Sequence, residues 1–146
     1  MATSGYKKSS DYPNEFFIQK AIEQYFERFG YIKQKVAYSD YVGINPSTNE
    51  KWVVEAKGET AAIGLDFRTC LGQVVQRIEE SSTNYGVAVP YLKTYINQCN
   101  QVKSWVREVL NLHWIFVKED GSIVIIKPID EVNIEQEDFM YGKYMG

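Results

Sequence analysis

The chain has 146 residues, 45% hydrophobic and 24% charged, which suits one packed globular domain and excludes wholesale disorder. Its 16 basic and 19 acidic residues give a net charge of −3, a balance that does not advertise a nucleic-acid binder. Apolar stretches are too short to span a membrane, the polar start MATSGYKKSS predicts no secretory leader, and two cysteines cannot form a disulfide framework; the expected setting is reducing and cytoplasmic.

Residues 1–12 read as a flexible tail. Pro13-Asn14 then opens a helix over residues 15–29, where Ile18, Ile22, Tyr25, Phe26 and Phe29 recur at steps of three and four. Gly30 stops it. Residues 31–38 are strand-like, and residues 40–44 form a second strand. The run Asn45-Pro46-Ser47-Thr48-Asn49 is rich in turn formers and predicts a hairpin. Residues 51–56 (KWVVEA) follow as a central strand, buried on both faces.

Residues 58–64 read as a loop and residues 66–81 as the second helix, with Leu65, Cys70, Leu71, Val74, Val75 and Ile78 as its apolar stripe. A short buried strand over residues 85–89 ends at Pro90. The third helix is expected over residues 93–112. The strand HWIFV, the turn Glu119-Asp120-Gly121 and a returning strand over residues 123–126 complete the fold. The order α-β-β-β-α-β-α-β-β predicts an α/β protein with a mixed central β-sheet flanked by helices. A single domain is expected over residues 13–129, with an acidic tail over residues 130–146. Five acids fall in that tail against Lys143 alone, so residues 1–129 carry 15 basic and 14 acidic residues. A near-neutral body with a local basic face remains compatible with nucleic acid. Eleven tyrosines place some of these rings on the surface, where a tyrosine can stack on a base or fill an interface.

The most informative stretch runs from Asp40 to Lys57. Alternation along a strand points Glu55 and Lys57 to one face, and Val54 and Ala56 to the other. A hairpin closing at residues 45–49 pairs residues 40–44 with 51–55, which brings Asp40 beside Glu55. Two carboxylates and an ammonium at one strand end are costly unless something uses them. Paired carboxylates are hard oxygen ligands, suited to Mg²⁺ or Mn²⁺. His113 opens an apolar strand far from the acids and reads as structural. Cys70 reads as core.

Asp40 followed by Glu55-Ala56-Lys57 at the end of an apolar strand resembles the PD-(D/E)XK signature of the restriction-endonuclease-like superfamily. Ser39 stands where that signature has a proline. The element order is similar too, as are D-F-R-T-C-L-G-Q at residues 66–73 and G-V-A-V-P at residues 86–90. The L-G-Q and V-P pieces most resemble the small XisH-type branch, named for an element excision controlling factor. The resemblance covers about residues 15–117. It implies a restriction-endonuclease-like fold, metal ligation by Asp40, Glu55 and the Ala56 carbonyl, catalysis by Lys57, and support from Gln73. A helix-one acid would come from Glu15 or Glu23. Glu15 shares the apolar side of its helix, whereas Glu23 falls toward the polar side.

The expected activity is that of a Mg²⁺- or Mn²⁺-dependent DNA endonuclease, in element excision, recombination or defence. The alternative is a nuclease-like DNA-binding or regulatory subunit without cleavage of its own. Because no base-reading module is visible, a homodimer or a targeting partner protein is expected.

Overall fold

A computed structural model describes residues 11–132. Ten elements follow in chain order: α1 (Glu15–Arg28), β1 (Ile32–Lys33), β2 (Tyr41–Ile44), β3 (Lys51–Ala56), α2 (Ile63–Arg77), β4 (Asn84–Pro90), α3 (Lys93–Cys99), α4 (Ser104–Leu110), β5 (Leu112–Val117) and β6 (Ile123–Ile126). The six strands form one sheet in the order β1-β2-β3-β4-β5-β6. The β3–β4 and β4–β5 pairs are parallel and the remaining pairs antiparallel. The chain is thus an α/β protein with a mixed six-stranded sheet.

Both faces of the sheet are covered. Ile18, Ala21, Ile22 and Phe26 of α1 pack onto one face, against Tyr41, Val54, Ala56, Ala88 and Ile115. Phe67, Cys70 and Val74 of α2 pack onto the other, with Tyr95, Ile96 and Cys99 of α3, against Val53, Val87, Trp114 and Phe116. Central strands buried on both faces must be apolar at nearly every position, which is why KWVVEA, YGVAV and HWIFV lack polar alternation. Tyr12, placed by the sequence in the leading tail, packs edge-on against Phe17 and donates to the Val117 carbonyl at 3.1 Å.

Three elements differ from expectation. The long strand over residues 31–38 shrinks to Ile32–Lys33, extended by one bond from Gln34 N–H to Val42 O (2.7 Å). Its partner β2 has only four residues, so residues 35–38 have no ladder to join. The single helix expected over residues 93–112 is two helices. Gln101 and Val102 close three-residue turns onto Gln98 and Cys99, and Lys103 is extended (ψ 151°). Asn100 and Ser104, whose side chains compete with the helical backbone, frame the break. Asn111 in the left-handed conformation (φ 52°) then ends α4, so that Leu112 enters β5. Finally, α2 starts at Ile63 rather than at residue 66 and ends at Arg77.

Much of the expected acidic tail, from residue 133 onward, lies outside the described residues. Its first residue is tied down: the buried Arg107 guanidinium donates to the Lys127 and Asp130 carbonyls and stacks over Trp114.

Candidate functional site

The antiparallel register of β2 and β3 runs from Tyr41↔Val54 to Ile44↔Lys51. One further step places Asp40 opposite Glu55, at the end of β3 where the parallel part of the sheet begins. The turn that sets this register is built by Asn45, whose Oδ1 accepts from Ser47 N–H at 2.9 Å and whose N–H closes onto Glu50 O.

Asp40 is held by two hydrogen bonds. Its Oδ2 accepts from the Ala56 N–H at 2.8 Å, and its Oδ1 from Gln19 Nε2 at 3.3 Å. The same Gln19 amide donates to Glu15 Oε2 at 3.2 Å. Glu15 and Gln19 are four residues apart on α1, so they present one face to the strand end. Gln19 therefore links the helix-one acid to the strand acid. Sequence reasoning missed it, although its spacing from Glu15 is the available signal.

Glu55 is only 3% exposed, and its Oε2 is buried without a hydrogen-bond partner. Burial, reinforced by repulsion from Asp40, raises its carboxyl from 4.5 to about 7; nearby Ser39 and Arg77 offset part of this. A buried, unpartnered carboxylate oxygen is costly and rare in native proteins. Glu15 is largely solvent-exposed; partial desolvation where α1 meets the strand end, with Asp40 and Asp66, raises its carboxyl, and Lys57 opposes this.

Lys57 follows β3 directly, its N–H bonded to Ala88 O at 3.0 Å. It acts electrostatically on Glu15 and Cys70. Among the described residues no carboxylate comes within ion-pair distance of its ammonium. Gly58 then brings the chain against the start of α1: a Cβ there would lie 2.3 Å from Glu15 N and 2.7 Å from Pro13 O. Glu59 N–H bonds Pro13 O at 2.8 Å, and Tyr95 OH donates to Gly58 O at 2.6 Å. This close approach fixes Glu15 beside the exit of β3.

On α2, Asp66 accepts from the Thr60 hydroxyl and contributes to the potential at Glu15. Cys70 is buried beneath the cluster, its thiol pushed up by burial and then by Glu55 and Asp40. Arg77 lies within electrostatic reach of Glu55. Gln73 lies between Cys70 and Arg77 on this helix and is half-buried, but makes no hydrogen bond to the acids. Of the two candidate helix-one acids, Glu15 is the one brought to the site. Glu23 pairs instead with Lys33 at 2.7 Å and Lys20 at 3.8 Å.

Among the described residues, no group of three His, Cys, Asp or Glu side chains forms a ready-made metal cage. The acids converge as the Asp40–Glu55 pair, with Glu15 joined through Gln19. His113 lies two strands from Glu55 and packs against the start of β3, its ring 4.5 Å from that of Trp52 and its Nδ1 3.1 Å from Tyr85 O. Burial lowers its pKa, in keeping with a neutral structural imidazole. A cavity of about 580 Å³ opens beside it and contains none of the clustered acids.

No family model matches the chain, and no curated protein matches it. Among solved structures it is similar to an XisH family protein from Nostoc punctiforme, at 17% identity and a TM-score of 0.49. That similarity covers 73% of this chain and 95% of the other. No helix among the described residues is long and apolar enough to cross a membrane.

Proposed function

We propose that this chain is a metal-dependent phosphodiesterase that cleaves DNA. The observation that carries the reading is Glu55: a buried carboxylate with an unpartnered oxygen, directly across the β2–β3 register from Asp40. A divalent cation resolves this arrangement, because it satisfies the orphaned oxygen and cancels the repulsion that raises Glu55. The residues fit a hard cation of the Mg²⁺ or Mn²⁺ type, held by Asp40, Glu55 and the Ala56 carbonyl. When bound, such an ion lowers the pKa of water and neutralises charge on a phosphoryl group.

The chain's own groups divide the remaining work. Gln19 and the Ala56 N–H fix Asp40, so its orientation does not depend on a ligand. Lys57 offers an ammonium without an ion-pair partner among the described residues, and its role in this reading is to neutralise charge that develops on a phosphate in the transition state. Glu15, whose raised pKa favours holding a proton, is positioned beside it. Cutting both strands of a duplex takes two such sites, so a homodimer or a targeting partner belongs to this reading.

The test is nicking of supercoiled DNA with Mg²⁺ or Mn²⁺, wild type against Lys57→Ala. The variant should keep its melting temperature and lose about 10²–10³-fold in rate, the size of a lost oxyanion donor. Equal nicking by both proteins would refute the role of Lys57. A wild type that binds DNA and cuts none would leave the regulatory-subunit reading in its place.

A further inference from the structure

We propose that Tyr38 and Arg77 form a stacking platform for an unpaired nucleobase beside the acid site, so that its substrate carries a single-stranded or extrahelical nucleotide there. This inference rests on the nuclease reading above and names the substrate class of that same site.

The platform is built from a helix and a loop. Tyr38 precedes Ser39-Asp40, and two residues of chain span at most about 7 Å. The tyrosine is 44% exposed. The Arg77 guanidinium lies over its ring, 5.5 Å from the centroid, and Arg77 Nε donates to the Tyr38 carbonyl at 2.7 Å. The end of α2 thus holds both the backbone and the ring of an otherwise unladdered loop. An exposed aromatic costs free energy in water, and here an arginine fixes its orientation. The remaining guanidinium nitrogens make no hydrogen bond among the described residues, which leaves donors free for a phosphate.

The surroundings have the matching charge. A groove of about 470 Å³, lined by Lys35, Ser39 and Asp40 among others, borders this loop; Tyr38 and Arg77 lie outside its lining, and its other lysine, Lys33, is paired with Glu23 at 2.7 Å. Lys35 is exposed, and among the described residues neither it nor Lys57, two residues past Glu55, has a carboxylate partner within ion-pair distance. An exposed cation such as Lys35 and an aromatic face two residues from Asp40 are the two kinds of component that single-strand binding grooves combine. A base inside a duplex has both faces covered by its neighbours, so the ring can receive only a base that has left the stack.

The test is metal-free, in chelator, and so independent of cleavage. Oligonucleotides carrying 2-aminopurine are titrated as a single strand, as a flap and as a blunt duplex. Wild type should bind the single strand and flap more tightly than the duplex, with 2-aminopurine fluorescence falling on binding. Tyr38→Ala should lose about tenfold in single-strand affinity, as for one lost base–aromatic stack, and lose the fluorescence change. Tyr38→Phe should retain both, and duplex affinity should be unchanged in all three proteins. An unchanged single-strand affinity in Tyr38→Ala overturns the platform, whether or not the wild type cuts DNA. A Tyr38-dependent affinity in a protein that cuts nothing keeps the platform and overturns the nuclease reading. No binding of any DNA overturns the platform and shows that the exposed tyrosine serves another kind of contact.

Discussion

Glu55→Gln should stabilise the metal-free protein, and the gain should depend on pH. The folded state raises this carboxyl from 4.5 to about 7, by burial first and by Asp40 second. Between these values the native state binds a proton that the unfolded chain releases, so stability falls as pH rises. The neutral form carries no penalty below about pH 4.5, and the full penalty is present above pH 7. A shift of this size corresponds to about 3 kcal/mol. Asp40 is only half-buried, so solvent screens part of its repulsion, and the expected gain at alkaline pH is about 2 kcal/mol. For a chain of this length that is a rise of about 6 °C in Tm. The assay is thermal and urea unfolding of both proteins in chelator, across about pH 4.5 to 8.5. Wild type and variant should converge at the acid end and separate through neutrality. Added Mg²⁺ should then stabilise wild type and leave Glu55→Gln unmoved, since only the former gains a ligand on folding. A variant less stable than wild type at pH 8, or a difference that ignores pH, would refute the account of Glu55 as a buried acid with one unpartnered oxygen.

Substitutions at Asp40 and Gly58 probe how the site is held. Asp40 repels Glu55, but its carboxylate also accepts the Ala56 N–H and the Gln19 amide. Asp40→Ala should therefore lose about 2 kcal/mol in urea unfolding, since it orphans a backbone donor, whereas Asp40→Asn retains an acceptor and should lie near wild type. Gly58→Ala should destabilise by about 1–3 kcal/mol, because its Cβ would fall 2.3 Å from Glu15 N and displace the start of α1. Hydrogen exchange of the first turn of α1 should accelerate with it.

The β2–β3 hairpin was legible because two local signals agree. The turn formers of residues 45–49 sit midway between two strands, and that spacing alone fixes which residues face each other. The central strands were legible from VV, VAV and IFV, which need burial on both faces. The break between α3 and α4 was hidden because Ile96, Cys99, Val102, Val106 and Val109 continue a spacing of three and four across it. Only the weak helix formers Asn100 and Ser104 marked the place. The choice between Glu15 and Glu23 depended on Lys33, a partner from another element. Gln19 and Asp66 looked like ordinary helix polar residues, since the strand end and the loop that engage them arrive from elsewhere in the fold.

Gly58 ties these observations into one argument about cost. The start of α1 can carry Glu15 to the strand end only if residue 58 lacks a side chain, and the backbone bond from Glu59 to Pro13 secures that approach. The price is borne by Glu55, which is buried beside Asp40 with one oxygen unpartnered. An accidental acid at this position could be replaced by an apolar residue, such as the Val53 and Val54 that β3 has nearby, with gain in stability and no other change. The fold instead invests three elements in holding Asp40, Glu55, Glu15 and Lys57 around one strand end, and the two packed sheet faces supply the stability that tolerates it. If Glu55→Leu gains stability yet leaves both Mg²⁺-induced stabilisation and DNA nicking intact, the cluster serves no ligand; loss of both alongside the gain is the outcome expected on the proposed reading.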